Sequence, residues 1–259
     1  MICRDIIRQI EEKYPGSYAM NWDNVGLLAG RYEKEVKKIY IALDATDEVV
    51  EAAIAESADM LITHHPLIFS GIKKITDGDF IGNRLIRLIQ NDISYYAMHT
   101  NYDVLGMAEL SGMKMNFKNA EVLEVTAFGE VPEGIGRVAD LEQPITLRTC
   151  CENVKEIFAL DSVKVFGCLD RTVQRVAISG GSGKSMIGPA LEKKADVLIT
   201  GDIGHHEGID AVAQDLAIID AGHYGIEHIF IEDIKCYLEE NLINISVKSA
   251  PISHPFTVL

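Results

Sequence analysis

Residues 39–63, IYIALDATDEVVEAAIAESADMLIT, and residues 176–200, VAISGGSGKSMIGPALEKKADVLIT, overlay without a gap, and this overlay decides the fold. Each stretch has a short apolar run, a turn, a helix-like segment and then Ala-Asp-x-Leu-Ile-Thr. The apolar runs are too short for helices and are bounded by turn residues, so they read as buried strands. Asp44-Ala45-Thr46-Asp47 supplies N-cap chemistry for a helix through about Ser57, and Gly180-Gly181-Ser182-Gly183 is expected to make the corresponding strand-to-helix turn. A strand, a helix and a second strand imply a parallel pair joined by a right-handed crossover.

Outward from this pair the likeness continues. DFIGNRLIRLIQN (79–91) reads as an amphipathic helix and is followed by the apolar run Ile93–Ala97, while Gly208–Gln214 leads into Leu216–Asp220. After these runs stand His99-Thr-Asn-Tyr-Asp103 and His223-Tyr-Gly-Ile-Glu227, both His-x-x-x-carboxylate, with the offset between copies falling from 137 (39 to 176) to 124 (99 to 223). The chain therefore reads as α/β, with two similar lobes related by an internal pseudo-twofold duplication and mixed or parallel sheets flanked by helices. The first lobe is expected over residues 1–125 and the second over 126–259. Residues 122–147 alternate in polarity around the turn Pro132-Glu133-Gly134, a hairpin pattern, and Arg148–Ala159 reads as a helix.

At 259 residues, 47% hydrophobic and 24% charged, the chain can bury a substantial core as one large domain or two small ones. A net charge of −15 repels a nucleic-acid duplex, whose affinity comes from cations displacing phosphate counterions, but attracts divalent cations. No apolar run approaches the roughly eighteen residues of a membrane span. The stretch from Met1 to Tyr14 mixes apolar and charged residues at helical spacing and lacks the apolar block of a signal peptide. The five cysteines are odd in number and form no CxxC pair, so a reducing, cytoplasmic location is expected.

The histidines are concentrated. His64 and His65 leave a strand together just before Pro66, at the end of the sheet where α/β folds place ligands. Adjacent residues leaving a strand point to different sides, so the pair fits two neighbouring ions better than one. Turn histidines bonded to backbone are the plain alternative. His223 and Glu227 share one face at the start of a helical segment, as in other His/acid metal motifs, although a glutamate there also gains from the helix dipole. Asp103 can be a hard oxygen ligand or a cap, and His99 a ligand or a donor behind one. The run Gly201-Asp202-Ile203-Gly204-His205-His206-Glu207 holds the place of His64-His65, with His205 and His206 as ligands or proton shuttles and Asp202 as a cap. Of the eight histidines only His254 lies away from these clusters, which favours a metal site over isolated structural histidines. A donor set without thiolate suits Fe, Zn, Mn or Mg, and two such ions are suited to activating water for hydrolysis.

Other features are weaker. Ser179–Ser185 approaches the phosphate-binding pattern GxxxxGK[ST], but Ile178 stands where its first glycine belongs, so a tight turn is expected. Asn21-Trp22-Asp23-Asn24 holds the single tryptophan, either lining a pocket or anchoring a loop, and Asp44 is a cap or an acid behind a ligand.

Asn21-Trp22-Asp23-Asn24-x-Gly26-Leu27, Ile-Thr-His64-His65-Pro66, His99-x-x-x-Asp103, Thr200-Gly201-Asp202 leading to His206-Glu207, and Asp220-Ala-Gly-His223-x-x-x-Glu227 occur in order. Together they resemble the GTP cyclohydrolase I type 2 homologues, also called Nif-three-like dinuclear metal-centre proteins, in a short form without the inserted domain some members carry. The resemblance covers essentially the whole chain. It implies a two-lobed α/β protein assembled as a toroidal homohexamer, with two divalent metal ions per chain held by His64, His65, Asp103, His223 and Glu227, the last bridging both. It leaves His99 and His206 as acid/base candidates. Gly204 and His205 stand where the family often has a Lys or Arg and a Tyr, so a substrate contact through that cation is not carried over. The expected function is a metal-dependent, GTP cyclohydrolase-like hydrolase of a small phosphorylated or purine-type compound. The alternative is a non-catalytic metal-binding or regulatory scaffold protein.

Overall fold

A strand entering a parallel sheet must find acceptors for its first N–H groups. The repeated Ala-Asp provides them. In a computed structural model, which describes residues 1–259, Asp59 Oδ2 accepts from the backbone N–H groups of Lys37 and Lys38 at 2.8 and 3.0 Å. Asp196 Oδ2 accepts from Gln174 and Arg175 at 2.8 Å each. Just before, Ser57 and Lys194 take left-handed φ values of 53° and 58° and close the preceding helices. The bonds Ala58 N to Ala53 O and Ala195 N to Ala190 O complete these caps at 2.9 Å each. The same turn is built twice.

The strands run β1 (Gly26–Ala29), β2 (Lys38–Ala42), β3 (Met60–Thr63), β4 (Ser94–Ala97), β5 (Glu121–Ala127), β6 (Glu133–Thr146), β7 (Lys164–Phe166), β8 (Thr172–Ser182), β9 (Val197–Gly201), β10 (Ala217–Asp220) and β11 (Ser246–Ser249). They form two mixed sheets, ordered β1-β4-β3-β2-β11 and β5-β6-β8-β9-β10-β7. Within them β2-β3-β4 and β8-β9-β10 are parallel triplets, each flanked by an antiparallel edge strand, β1 on β4 and β7 on β10. The expected hairpin is β5 with β6, pairing Val125 with Gly134, and the expected following helix spans Leu147–Ile157.

The overlay by 137 residues is also the register of the sheets. Ile39 pairs with Met60 as Val176 pairs with Val197, and Ile41 with Ile62 as Ile178 with Ile199. One strand further the offset is 123, because Met60 pairs with Ser94 and Val197 with Ala217. The offset of 124 read from the histidines is therefore one too long for the strands. His99 follows Ala97 by two positions and His223 follows Asp220 by three, with Gly222 at φ 77° on the longer path.

The chain forms two compact units, Met1–Tyr102 with Phe230–Ile252, and Asp103–Ile229 with Ser253–Leu259. This corrects the single division expected between residues 125 and 126. The late strand β11 returns to the first sheet, where it lies parallel to β2 from Ser246↔Lys38 to Ser249↔Ile41. In the first unit Tyr40, Leu61 and Tyr95 share a core with Val50, Ala53, Leu85 and Leu88 from the crossover helices Asp47–Ala55 and Phe80–Gln90. In the second, Ala177, Leu198 and Ile218 play the same part with Ala190 and Ala211 from helices Ile187–Glu192 and His205–Ala213.

Gly180 and Gly181 do not form a strand-to-helix turn as expected. They continue β8 to Ser182 past an irregularity in pairing, and the turn begins at Gly183. A Cβ on Gly183 would lie 2.2 Å from Thr200, so close packing accounts for that glycine. Lys184 is engaged by Glu207 at 2.8 Å.

Candidate metal centre

The turn that carries His64 and His65 is pinned by the strands beneath it. Thr63 Oγ1 donates to His65 O at 2.8 Å, and the Tyr95 hydroxyl accepts from Leu67 N at 2.7 Å. Two consecutive histidines therefore leave β3 on a fixed path. His64 is fully buried with its Nδ1 2.9 Å from Met98 O, and His65 Nδ1 lies 2.7 Å from Asp44 Oδ1. His99 Nδ1 lies 2.8 Å from Asp23 Oδ1. The ring nitrogens of His64, His65 and His99 come within 4.8 Å of one another, close enough to hold a metal ion.

Asp23 is held by His99 and also by Thr100, whose N–H donates to Oδ2 at 3.0 Å. Burial would raise the Asp23 pKa, but the hydrogen bonds from His99 and Thr100 outweigh it and hold the carboxyl at about 2.

In the second unit His223 opens the short helix His223–Glu227, which puts Glu227 one turn on, as the spacing predicts. His223 Nε2 lies 3.0 Å from Glu227 Oε2 and its Nδ1 2.8 Å from Asp202 Oδ2. Burial would lower the His223 pKa, but Glu227 first and then Asp202 raise it to about 9. Gly180 and Gly181 leave room for the buried carboxylate, since a Cβ on either would come within 3.1 and 3.0 Å of Glu227 Oε1. Asp103 opens a π-helical stretch, Asp103–Met107, a local widening that is frequent at functional sites.

These donors fit a cation chemically. The Nδ1 of each of His64, His65, His99 and His223 faces a fixed carbonyl or carboxylate oxygen. Such a partner fixes the Nδ1–H tautomer and presents Nε2 as the basic nitrogen, the arrangement that orients metal-binding histidines. His223 Nε2 and Glu227 Oε2, 3.0 Å apart, are a nitrogen and an oxygen that a cation could share in place of a proton. His206 is exposed on the first turn of helix His205–Ala213, in ring contact with His205 at 5.2 Å. It belongs to no group of metal-competent donors.

Sequence reasoning left three residues without a settled role. Asp23 was part of a motif only, Asp44 was either a cap or an acid behind a ligand, and Asp202 was read as a cap. Each holds the Nδ1 of a histidine, which for Asp44 fits the acid and not the cap, since Thr46 caps the helix. For Asp202 the signal was present, because the offset of 137 sets it on His65.

Residues 1–255 match the family described as Duf34/NIF3 (NGG1p interacting factor 3). The chain belongs to the DUF34/NIF3 family. Curated DUF34/NIF3 relatives include a GTP cyclohydrolase 1 type 2 homolog of Clostridium acetobutylicum, 36% identical over 226 residues that cover 86% of this chain and 84% of the relative. A Protein NIF3 homolog of Schizosaccharomyces pombe is 30% identical, covering 88% and 85%. Among solved structures, a Bacillus cereus protein related to NIF3 superposes with a TM-score of 0.93 at 25% identity over 100% of this chain and 99% of that one. Reduced HcgD from Methanocaldococcus jannaschii matches with a TM-score of 0.83 at 32% identity, covering 96% and 97%. As in the sequence reading, no helix is long and apolar enough to cross a membrane.

Proposed function

We propose that this DUF34/NIF3 chain is a metal-dependent hydrolase of a small phosphorylated or purine-type compound, with His64, His65, Asp103, His223 and Glu227 holding two divalent ions. The observation that carries this reading is the fixed acceptor at the Nδ1 of each histidine described above, which leaves Nε2 as the ring nitrogen available to an ion on a rigid mount. When bound, such ions polarise the scissile group and acidify water. His64 and His65 are held on a turn bonded to Thr63 and Tyr95, and their rings are set by Met98 O and Asp44. Glu227, seated against Gly180 and Gly181, would hold an ion through its buried carboxylate. His99, oriented by Asp23, holds or passes a proton at Nε2. His206, exposed on its helix, is the weaker of the two proton carriers. The names of the relatives support a purine-type substrate without fixing it. Self-association as a homohexamer and a cytoplasmic location belong to the same proposal, and sedimentation velocity tests the first.

The deciding experiment combines elemental analysis with a panel of nucleotides, phosphoesters and cyclic amides, on wild type and His65→Ala. Bound divalent metal, turnover of one substrate, and loss of both in the variant are expected. Chelation should abolish turnover while far-ultraviolet circular dichroism stays unchanged. Turnover that survives complete chelation, or metal-replete protein inert toward the whole panel, overturns the hydrolase reading.

A further inference from the structure

Two large aromatic rings stand exposed beside the histidines of the first unit. Trp22 is 60% exposed and Phe69 55%, and their centroids are 5.7 Å apart at 42°. Both meet the edge or face of His99, at 6.0 and 6.2 Å. Neither ring hangs on a loose loop. Trp22 sits in a turn closed by Asp23 N to Met20 O at 2.9 Å, and Met20 N donates to Thr100 Oγ1 at 2.9 Å. Asn24 ties the two segments together, since its Nδ2 donates to Ile68 O, the residue before Phe69, at 2.6 Å. The ring next to them, His99, is itself locked onto Asp23.

Leaving two such side chains in water forfeits the burial that normally stabilises them. A fixed pair left more than half exposed can serve as a stacking platform, because every planar ring system has a π-face to offer. The geometry assigns Trp22 and Phe69 as a binding subsite for the planar ring of the ligand, which lays that ring beside His99 and its reacting group toward the His64–His65–His99 donors. This rests on the metal-dependent reading above and deepens it, by requiring that the substrate carry a planar, unsaturated ring. A saturated sugar phosphate would gain nothing from it.

Trp22 is the only tryptophan, so its emission reports on this subsite alone. GMP, UMP and nicotinamide mononucleotide share a ribose phosphate and differ in their rings, and ribose 5-phosphate lacks a ring. Titrated into the full-length protein, with and without added metal, the three nucleotides are expected to quench Trp22 emission saturably while ribose 5-phosphate does not. By calorimetry, Trp22→Leu should weaken the tightest nucleotide roughly 5- to 100-fold, the range that base stacking on an aromatic side chain gives. Phe69→Leu should weaken it less, and Trp22→Phe should recover part of the loss. Metal content is expected to be unchanged in all three variants. If no nucleotide binds tighter than ribose 5-phosphate, or Trp22→Leu binds as well as wild type, the platform is wrong. Failure of the metal reading would show separately, as absent metal in a protein whose ring selectivity is still measured.

Discussion

The two copies of the repeat agree where the sheet is built and differ where it ends. Asp59 and Asp196 accept the same pair of backbone N–H groups, Ser57 and Lys194 make the same left-handed cap, and the ladders share one register. Beyond the third residue of the Leu-Ile-Thr run the copies part, His64-His65 in one and Gly201-Asp202 in the other. In the first copy the strand end supplies two histidine rings. In the second it supplies a carboxylate that holds the ring of His223. Duplication kept the groups that satisfy backbone and released those that meet a ligand, because the former are required by any sheet and the latter only by a particular chemistry.

The sharpest way to break this comparison is to make the second copy resemble the first. A Cβ on Gly201 would lie 2.5 Å from the backbone N of His223, which cannot move aside cheaply. Gly201→Ala should therefore cost about 3 kcal/mol or more in a denaturant titration, through overpacking against backbone. A near-neutral result would mean that the glycine is not fixed by His223.

Next in size is the contrast between the acids behind the histidines. The side chain of Asp23 is fully buried, whereas that of Asp202 is 55% exposed. The folded-state pKa of Asp23, about 2, is below its ordinary 3.8. Its contribution to stability is thus present above pH 4 or so and is lost as pH falls through 2. At about 1.4 kcal/mol per unit this amounts to roughly 2 kcal/mol. Asp23→Asn should lower the neutral-pH stability by about that much and flatten the acid limb of the stability profile measured by denaturant titration.

Smaller effects should be equal across the copies. Asp59→Ala and Asp196→Ala each orphan two backbone N–H groups, and each should cost about 1.5 kcal/mol. A twofold disparity in denaturation midpoints would deny them the same role. The least consequential change is Lys184→Ala, which removes an exposed partner of Glu207 and should leave both thermal midpoint and nucleotide affinity within scatter.

Much of this was legible in the amino-acid sequence. The parallel triplets, the hairpin and the cap at Thr46, whose side chain accepts from Val49 N, follow from pattern and turn chemistry. The grouping of His64 with His65 follows from their adjacency at a strand end, and that of His223 with Glu227 from helical spacing. The one-residue difference before His223 was not legible, because matching by side-chain type aligned the histidines and hid the extra residue near Gly222. Nor was the return of β11, whose four residues SVKS carry little apolar signal and pair only through a partner far away in sequence. Asp202 read as a cap because a local window cannot see that His223 would arrive beside it.

The placement of β11 also sets an order of events. The second sheet draws all its strands from residues 121–220, a contiguous span, while the first must wait for residues 246–249 to cover β2. During synthesis the second sheet can be finished on the ribosome while Lys38–Ala42 still shows an open hydrogen-bonding edge. A nascent chain stalled or clipped before Ser246 would keep that edge of β2 open, a template for pairing with another copy, so quality control of this protein should be most sensitive to Ser246–Ser249.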